Sequence, residues 1–414
     1  MNDITTKPIS YPQPLVKSGK KDRASYLSAA FLAFAALLFF VLGLVWLGLV
    51  FVLVLLALLA YKWAKKRFGS FRWFKALRYA VVFAAIFVVA IFVRLFVFEV
   101  FEIPSESMEN TLLPGDKIVV NKLVIGPQTP KSPFDIPWLN LLFYMNKQAR
   151  AHIDSTWWEP VRLNGWSKIK HNQVLVFKNE PLAPDYFIKR CVALPGDELQ
   201  IINGELYVNG KAALTNSLPH IKKQWVLYIN NPEGFNRLAD SLHINTYYHH
   251  YASHETSFEL PLSNQQAAIL MQSSCVDSMN VLVHQPYADA WLRPYGKRNV
   301  WSIDNYGPVK VPYKGWRISL NDETVTHYFE TIRDWEGKSI ESIDGQFYID
   351  STKVSHYTFE NNYYMFMGDN RHNSIDSRMW GFLPEQKIVG KATNILWSNK
   401  HGQMKWNRIM KRIK

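Results

Sequence analysis

No charged residue occurs between Ala24 and Tyr61, and that run constrains the chain more than any other feature. Its apolar stretch, SAAFLAFAALLFFVLGLVWLGLVFVLVLLALLAY, is longer than the roughly 20 residues one bilayer crossing needs. Two arrangements fit: a hairpin of two short helices turning near Gly43 and Gly48, or one long tilted helix. Lys17, Lys20, Lys21 and Arg23 precede the run, and Lys62, Lys65, Lys66, Arg67, Arg72, Lys75 and Arg78 follow it. Cytoplasmic basic flanks on both sides require an even number of crossings, which favours the hairpin. A second apolar run, Tyr79 to Phe98, is broken only by Arg94, a side chain that can snorkel from near a helix end. The expected order is a basic tail (1–25), a span or helical hairpin (26–61), a basic cytoplasmic loop (62–78) and a transmembrane helix (79–98). A cleavable signal peptide does not fit the length of the first run or the later span. Everything after Phe98 is then expected outside.

The formal charge of +13 raises the question of nucleic acid, and its distribution answers it. Residues 1–101 hold 13 basic side chains against Asp3, Asp22 and Glu99, whereas residues 102–414 hold 34 basic and 31 acidic ones. The excess flanks the apolar runs, where it is a topology signal, and no basic stripe interleaved with aromatics follows. No nucleic-acid partner is expected. Cys191 and Cys275 are the two cysteines, too few for a disulfide scaffold, and their spacing leaves a single bridge open. No metal or other cofactor pattern stands out. In HINTYYHHYASHE (243–255) His250 and His254 would share a helix face, but the density of Tyr and Thr argues against a helix there.

The exterior part reads as mainly β, an antiparallel barrel-like or sandwich-like catalytic domain (102–212 and 340–400), with an inserted lobe (213–339) and a basic C-terminal tail (401–414). DKIVVNKLVI and QVLVFK are short β-branched and aromatic runs, and INGELYVNGK and IDGQFYIDSTK each centre on an Asn-Gly or Asp-Gly turn. A smaller insertion, about 126–168, carries Trp157 and Trp158.

Three segments carry chemistry. In EIPSESMENTLLPGD (102–116), Pro104 disfavours a helical Ile103, so the membrane helix should stop there and the chain run extended. Ser105 and Ser107, two apart, would then face the same side. In PDYFIKRCVALPGD (184–197), Phe187, Lys189, Cys191 and Ala193 share one face of a strand. A lysine among apolar neighbours is either an edge-strand guard or a desolvated amine able to act as a neutral base, and a nearby Arg190 charge would depress it further. A serine hydroxyl needs such a base. In MGDNRHNSIDSRMWGFLPE (367–385), Asp369, Arg371, Ser374, Asp376 and Arg378 crowd between apolar runs, the pattern of a buried polar network.

Together IPSESM…TLLPGD, YFIKRCVALPGD and GDNRHNSIDSRMWGFLPE resemble the bacterial type I signal peptidases (leader peptidases), membrane-bound Ser–Lys endopeptidases. The likeness covers about 79–125, 172–211 and 340–397, and the large insertion with GDNRHNS is most similar to enzymes of the Bacteroidetes type. The resemblance implies Ser107 as nucleophile and Lys189 as general base. It implies an oxyanion hole from Ser105 and the Ser107 N–H, and Ser374 orienting the amine. Asp369, Arg371, Asp376, Arg378 and Arg190 would form supporting pairs. Ile103, Met108, Leu112, Phe187 and Ile188 fall where the family lines shallow pockets for small side chains, hence cleavage after Ala-x-Ala. Also implied are preprotein signal peptides and membrane lipid as partners, proximity to the secretion translocon, and a multi-pass protein of the bacterial inner membrane with its catalytic domain on the periplasmic face. Glu106, Phe187 and Asn172-Gln173 depart from the family's pattern, and Glu106 and Phe187 bear on subsite preference. Ser167-x-x-Lys170 matches a penicillin-recognising S-x-x-K, but K-T-G and S-D-N are absent. The rival of a different class is an inactive, membrane-anchored protease-fold scaffold.

Overall fold

A computed structural model describes residues 19–41, 45–68, 72–153, 155–179, 186–244, 250–251, 257–285, 292, 301–400 and 402–414. It divides into two units, 1–90 and 91–414.

In the first unit α1 (Gly19–Val41) and α2 (Val45–Phe68) are separate helices. They pack in antiparallel order: the Phe39 and Phe51 rings stack at 5.3 Å, and a Cβ on Gly48 would fall 2.9 Å from the Phe40 ring. Gly48 is therefore where α2 closes on its neighbour, not part of a turn. Gly43 lies outside the described residues, as do residues 1–18. The first apolar run is thus carried by two helices, and the residues that join them, 42–44, lie outside the described residues. A third helix, α3 (Arg72–Phe92), carries the second apolar run. Among the described residues Gly48–Phe68 and Leu77–Val97 are long and apolar enough to cross a membrane, and Ala29–Val41 is a shorter apolar helix.

The helix does not run on to Pro104. It widens into one π-type turn, Val93–Val97, and the chain then enters β1 (Phe98–Glu102). The β-branched and aromatic runs form the sheet that follows: β2 (Asp116–Asn121), β3 (Val174–Lys178), β4 (Tyr186–Ala193), β5 (Tyr363–Met367) and β6 (Ile388–Lys400). They lie antiparallel in the order β1-β2-β6-β3-β4-β5, with 383–384 at the far edge. Val174 to Phe177 are buried on both faces, as expected of a central strand. Leu175 opposes Lys189, which fixes the register that carries the lysine into the site.

Two copies of Leu-Pro-Gly-Asp make the same turn. At 113–116 and 194–197 the Asp carboxylate accepts the N–H of the Leu three residues earlier, at 2.9 and 2.8 Å, while Gly115 and Gly196 take positive φ. The hairpins expected at Asn203-Gly204 and Asp344-Gly345 are both present, with positive φ at all four residues.

The lobe is narrower than 213–339. Its own core, with Leu227, Phe235, Leu260 and Leu270, sits under a four-stranded sheet (222–229, 250–251, 257–263, 276–281) flanked by helices 232–241 and 264–271. Residues 306–336 instead return to the catalytic part. Tyr306–Lys310 pairs with Glu198–Ile202, and Tyr328 and Ile332 of helix 322–336 join a core shared with Phe359 and Met365. Of the histidine cluster, His250 lies in a two-residue strand, and 245–249 and 252–256 lie outside the described residues. The insertion after β2 holds two short helices, α4 (Leu139–Met145) and α5 (Lys147–Arg150).

Candidate active site

Ser105 and Ser107 stand not on an extended strand but in a tight turn just past β1. The N–H groups of Thr111 and Leu112 both donate to the Met108 carbonyl, at 3.1 and 2.7 Å, and that of Glu109 to Glu106. The turn still brings the two hydroxyls together, with Oγ atoms 3.4 Å apart. Ser107 is buried, and Lys189 Nζ donates to its Oγ at 2.7 Å.

Lys189 is itself buried in β4, with its Nζ 5.7 Å from the Phe187 ring centroid. Burial disfavours the ammonium and pulls the amine down to about 8, against the opposing pull of Asp376 and Asp369. Arg190 does not add the depression expected of it. Its Nε and Nη2 bind both oxygens of Asp369, at 2.7 and 2.6 Å, which neutralises it. Arg190 also donates to the Asn172 carbonyl and contacts His220 Nε2.

The third segment packs against the serine turn. Asn370 N–H donates to the Ser107 carbonyl at 3.1 Å, and Thr111 Oγ1 to Asp369 Oδ2 at 2.5 Å. Gly368 permits this approach: a Cβ there would lie 2.2 Å from Ser374 Oγ and 2.5 Å from the Ser107 carbonyl oxygen. Asp376 holds Arg378 through Nε at 2.9 Å and Nη2 at 2.8 Å, and accepts the Gly368 N–H at 3.1 Å. Burial alone would raise both carboxyls, but their arginine partners hold Asp369 and Asp376 below the ordinary range.

Two members of the expected network stand apart. Among the described residues Arg371 forms no ion pair; its Nη1 meets Met367 Sδ at 3.2 Å, and burial, with Arg378 close by, lowers it to about 10. Ser374 is buried beside Asp376 and Gly368, but its hydroxyl makes no aligned hydrogen bond, and the side-chain bond Lys189 makes goes to Ser107. Ile103, Met108, Leu112 and Ile188 are buried in one cluster with Val174 and Val176, while Phe187 stacks on Phe177 at 6.2 Å. Ser167 Oγ donates to the Lys168 carbonyl, so the S-x-x-K pattern assembles no dyad. Cys191 and Cys275 are free, and burial pushes the Cys191 thiol up.

Sequence reasoning missed the lobe's part in the site. Lys222 N–H donates to the Asp369 carbonyl and its own carbonyl accepts from Arg371 N–H, while its Nζ binds Glu109 Oε2 at 2.7 Å, two residues past Ser107. His284, Asp304 and His372 also converge, with potential ligand atoms within 4.8 Å of one another. His372 Nδ1 accepts the Gln224 N–H at 3.1 Å, which leaves the proton on Nε2 to bond Asp304 at 3.0 Å. That donor pattern makes the cluster a latch between lobe and loop.

A serine hydroxyl held against a buried amine on an antiparallel β scaffold has the makings of a serine peptidase. The comparison with known families agrees on the class: the one described as "Signal peptidase, peptidase S26" matches residues 76–248 and 306–397, and the chain belongs to it. Similar curated proteins include bacterial enzymes named signal peptidase I. Signal peptidase I of Buchnera aphidicola subsp. Schizaphis graminum is 28% identical over 326 residues, 78% of this chain and 76% of that protein. The enzyme of Buchnera aphidicola subsp. Baizongia pistaciae is 25% identical over 324 residues (78% and 77%), and that of Helicobacter pylori strain 26695 is 24% identical over 311 (75% and 79%). The chain is a peptidase of this kind.

Proposed function

We propose that the chain is a membrane-anchored Ser–Lys endopeptidase that removes signal peptides from exported preproteins after a small-x-small site. The observation that carries this reading is the 2.7 Å contact between Lys189 Nζ and Ser107 Oγ, with the amine drawn down to about 8. A free lysine near 10.4 is almost wholly protonated at neutral pH and cannot accept a proton; this one is neutral in a usable fraction. Neutral Lys189 takes the Ser107 proton as Oγ attacks the scissile carbonyl, and the resulting ammonium returns it to the leaving amine. The Ser107 N–H and the Ser105 hydroxyl donate to the oxyanion, and a water activated by Lys189 then releases the acyl group. Asp369–Arg190 and Asp376–Arg378 hold the loop against the serine turn, and Ser374 orients the amine during the reaction.

Ile103, Met108, Leu112, Phe187 and Ile188 line the shallow pockets that take the small side chains of the substrate. Helices α1, α2 and α3 anchor the protein in the bacterial inner membrane, the catalytic part faces the periplasm, and preproteins arrive from the translocon nearby. The dyad is tested chemically. Lys189→Cys should be inactive, and alkylating that thiol to an aminoethyl lysine analogue should restore part of the activity with a shifted acidic limb. Wild-type activity and pH profile in unmodified Lys189→Cys would remove Lys189 from the mechanism.

A further inference from the structure

The insertion after β2 buries one set of aromatic rings and exposes another. Phe134 is its small core, with ring centroids 5.9 Å from Phe143 and 6.4 Å from Trp157. On the other side of α4, Leu141, Leu142 and Met145 are 58%, 64% and 81% exposed, and Trp138, Trp157 and Trp158 of the same insertion also stand partly in solvent. The Trp157 N–H is bound by Ser155 Oγ and that of Trp158 by the Pro130 carbonyl, so what these two indoles offer outward is apolar. Lys147 and Arg150 of α5 follow directly and are exposed. Soluble surfaces rarely carry so dense an apolar patch without a partner.

The place of the patch names that partner. Pro130, Phe134 and Asn140 line one cleft together with Arg94 and Leu95, the last turn of the apolar run that ends at Val97. That turn is tied to the insertion's base: Lys122 N–H donates to the Val97 carbonyl and Lys122 Nζ to that of Arg94, both at 2.9 Å. If Leu77–Val97 spans the bilayer, as the proposed function has it, residues flanking Arg94 and Leu95 stand at the height where the chain leaves the lipid. We propose that α4, α5 and the Trp157–Trp158 loop form an interfacial anchor, seated among the headgroups of an anionic bilayer. The apolar side chains enter the headgroup–acyl boundary, and Lys147 and Arg150 meet phosphates. The anchor fixes the height of the β1–β2 hairpin, and with it the serine turn, over the membrane.

The test uses the full chain in vesicles of phosphatidylethanolamine and phosphatidylglycerol. A nitroxide is placed at Leu142→Cys and, as the span control, at Ile86→Cys. The expected result is that the label at 142 collides more often with dissolved oxygen than with a water-soluble nickel chelate, at a shallower depth than the label at 86. Nickel access equal to that of a free aqueous nitroxide, with the label at 86 still in lipid, would overturn the anchor alone. An aqueous label at 86 would overturn the span and the anchor with it. Strong spin–spin broadening at 142 would also overturn it, by showing a second copy on the patch. In a functional arm, the L141D/L142D variant should raise KM several-fold for a preprotein presented on vesicles and leave kcat/KM on a short water-soluble peptide unchanged. An unchanged vesicle KM would contradict the anchor.

Discussion

Lys189 is a side chain whose burial costs the fold and which, as the proposed base, would serve the reaction. Its amine sits near 8 in the folded protein against about 10.5 in an unfolded chain, with burial as the cause. The unfolded state therefore binds more protons between those values, so folding stability rises with pH from about 8 to 10.5 and is lowest below that window. Lys189→Met should melt at a higher temperature than wild type at pH 7, with the difference shrinking towards pH 10; a lower melting temperature at pH 7 would contradict a desolvated amine. The same shift predicts that kcat/KM rises along an acidic limb with an apparent pKa near 8. Ser105→Ala should lower kcat by about 10²–10³ with KM little changed, the usual loss for one oxyanion donor; near-normal kcat would leave Ser105 a structural residue. The burial of Lys189 was legible because a lysine sharing a strand face with Phe187 and Cys191 is out of place. The resemblance put Asp369 and Arg190 among supporting pairs, but which partner each takes was not legible, because 179 residues separate the two and only the folded sheet joins them.

At the scale of elements the strands and hairpins were readable and the turns were not. Val-Leu-Val-Phe and the Asn203-Gly204 and Asp344-Gly345 pairs carry their structure locally, through burial and positive φ. The serine turn misled because extended-chain alternation was applied across Ser107, which the bond from Glu109 N–H to the Glu106 carbonyl folds into a turn. The lobe's boundary misled because Tyr328 and Ile332 pack on strands more than a hundred residues earlier, such as 198–202, a contact no local period reveals. Gly368 is the element-scale prediction: its missing side chain lets the loop touch the Ser107 carbonyl. Gly368→Ala should fold with some loss of stability and lose activity by about 10²-fold, the order expected for an ångström-scale misplacement. Steady-state kinetics giving wild-type kcat would show that the loop need not approach so closely.

For the whole molecule, the chain joins a set of apolar helices to a β-rich catalytic part, and the charge distribution already separated the two. The helical hairpin predicts its own topology. A reporter fused after Lys21 and one fused in the 62–78 loop should both register cytoplasm, and opposite sides would contradict an even number of crossings. Purified protein in lipid should be incubated with a preprotein and the new N-terminus sequenced. The predicted result is a single new N-terminus immediately after a small-x-small site, absent with Ser107→Ala. No cleavage by the wild-type protein, or the same cleavage by Ser107→Ala, would contradict the central claim.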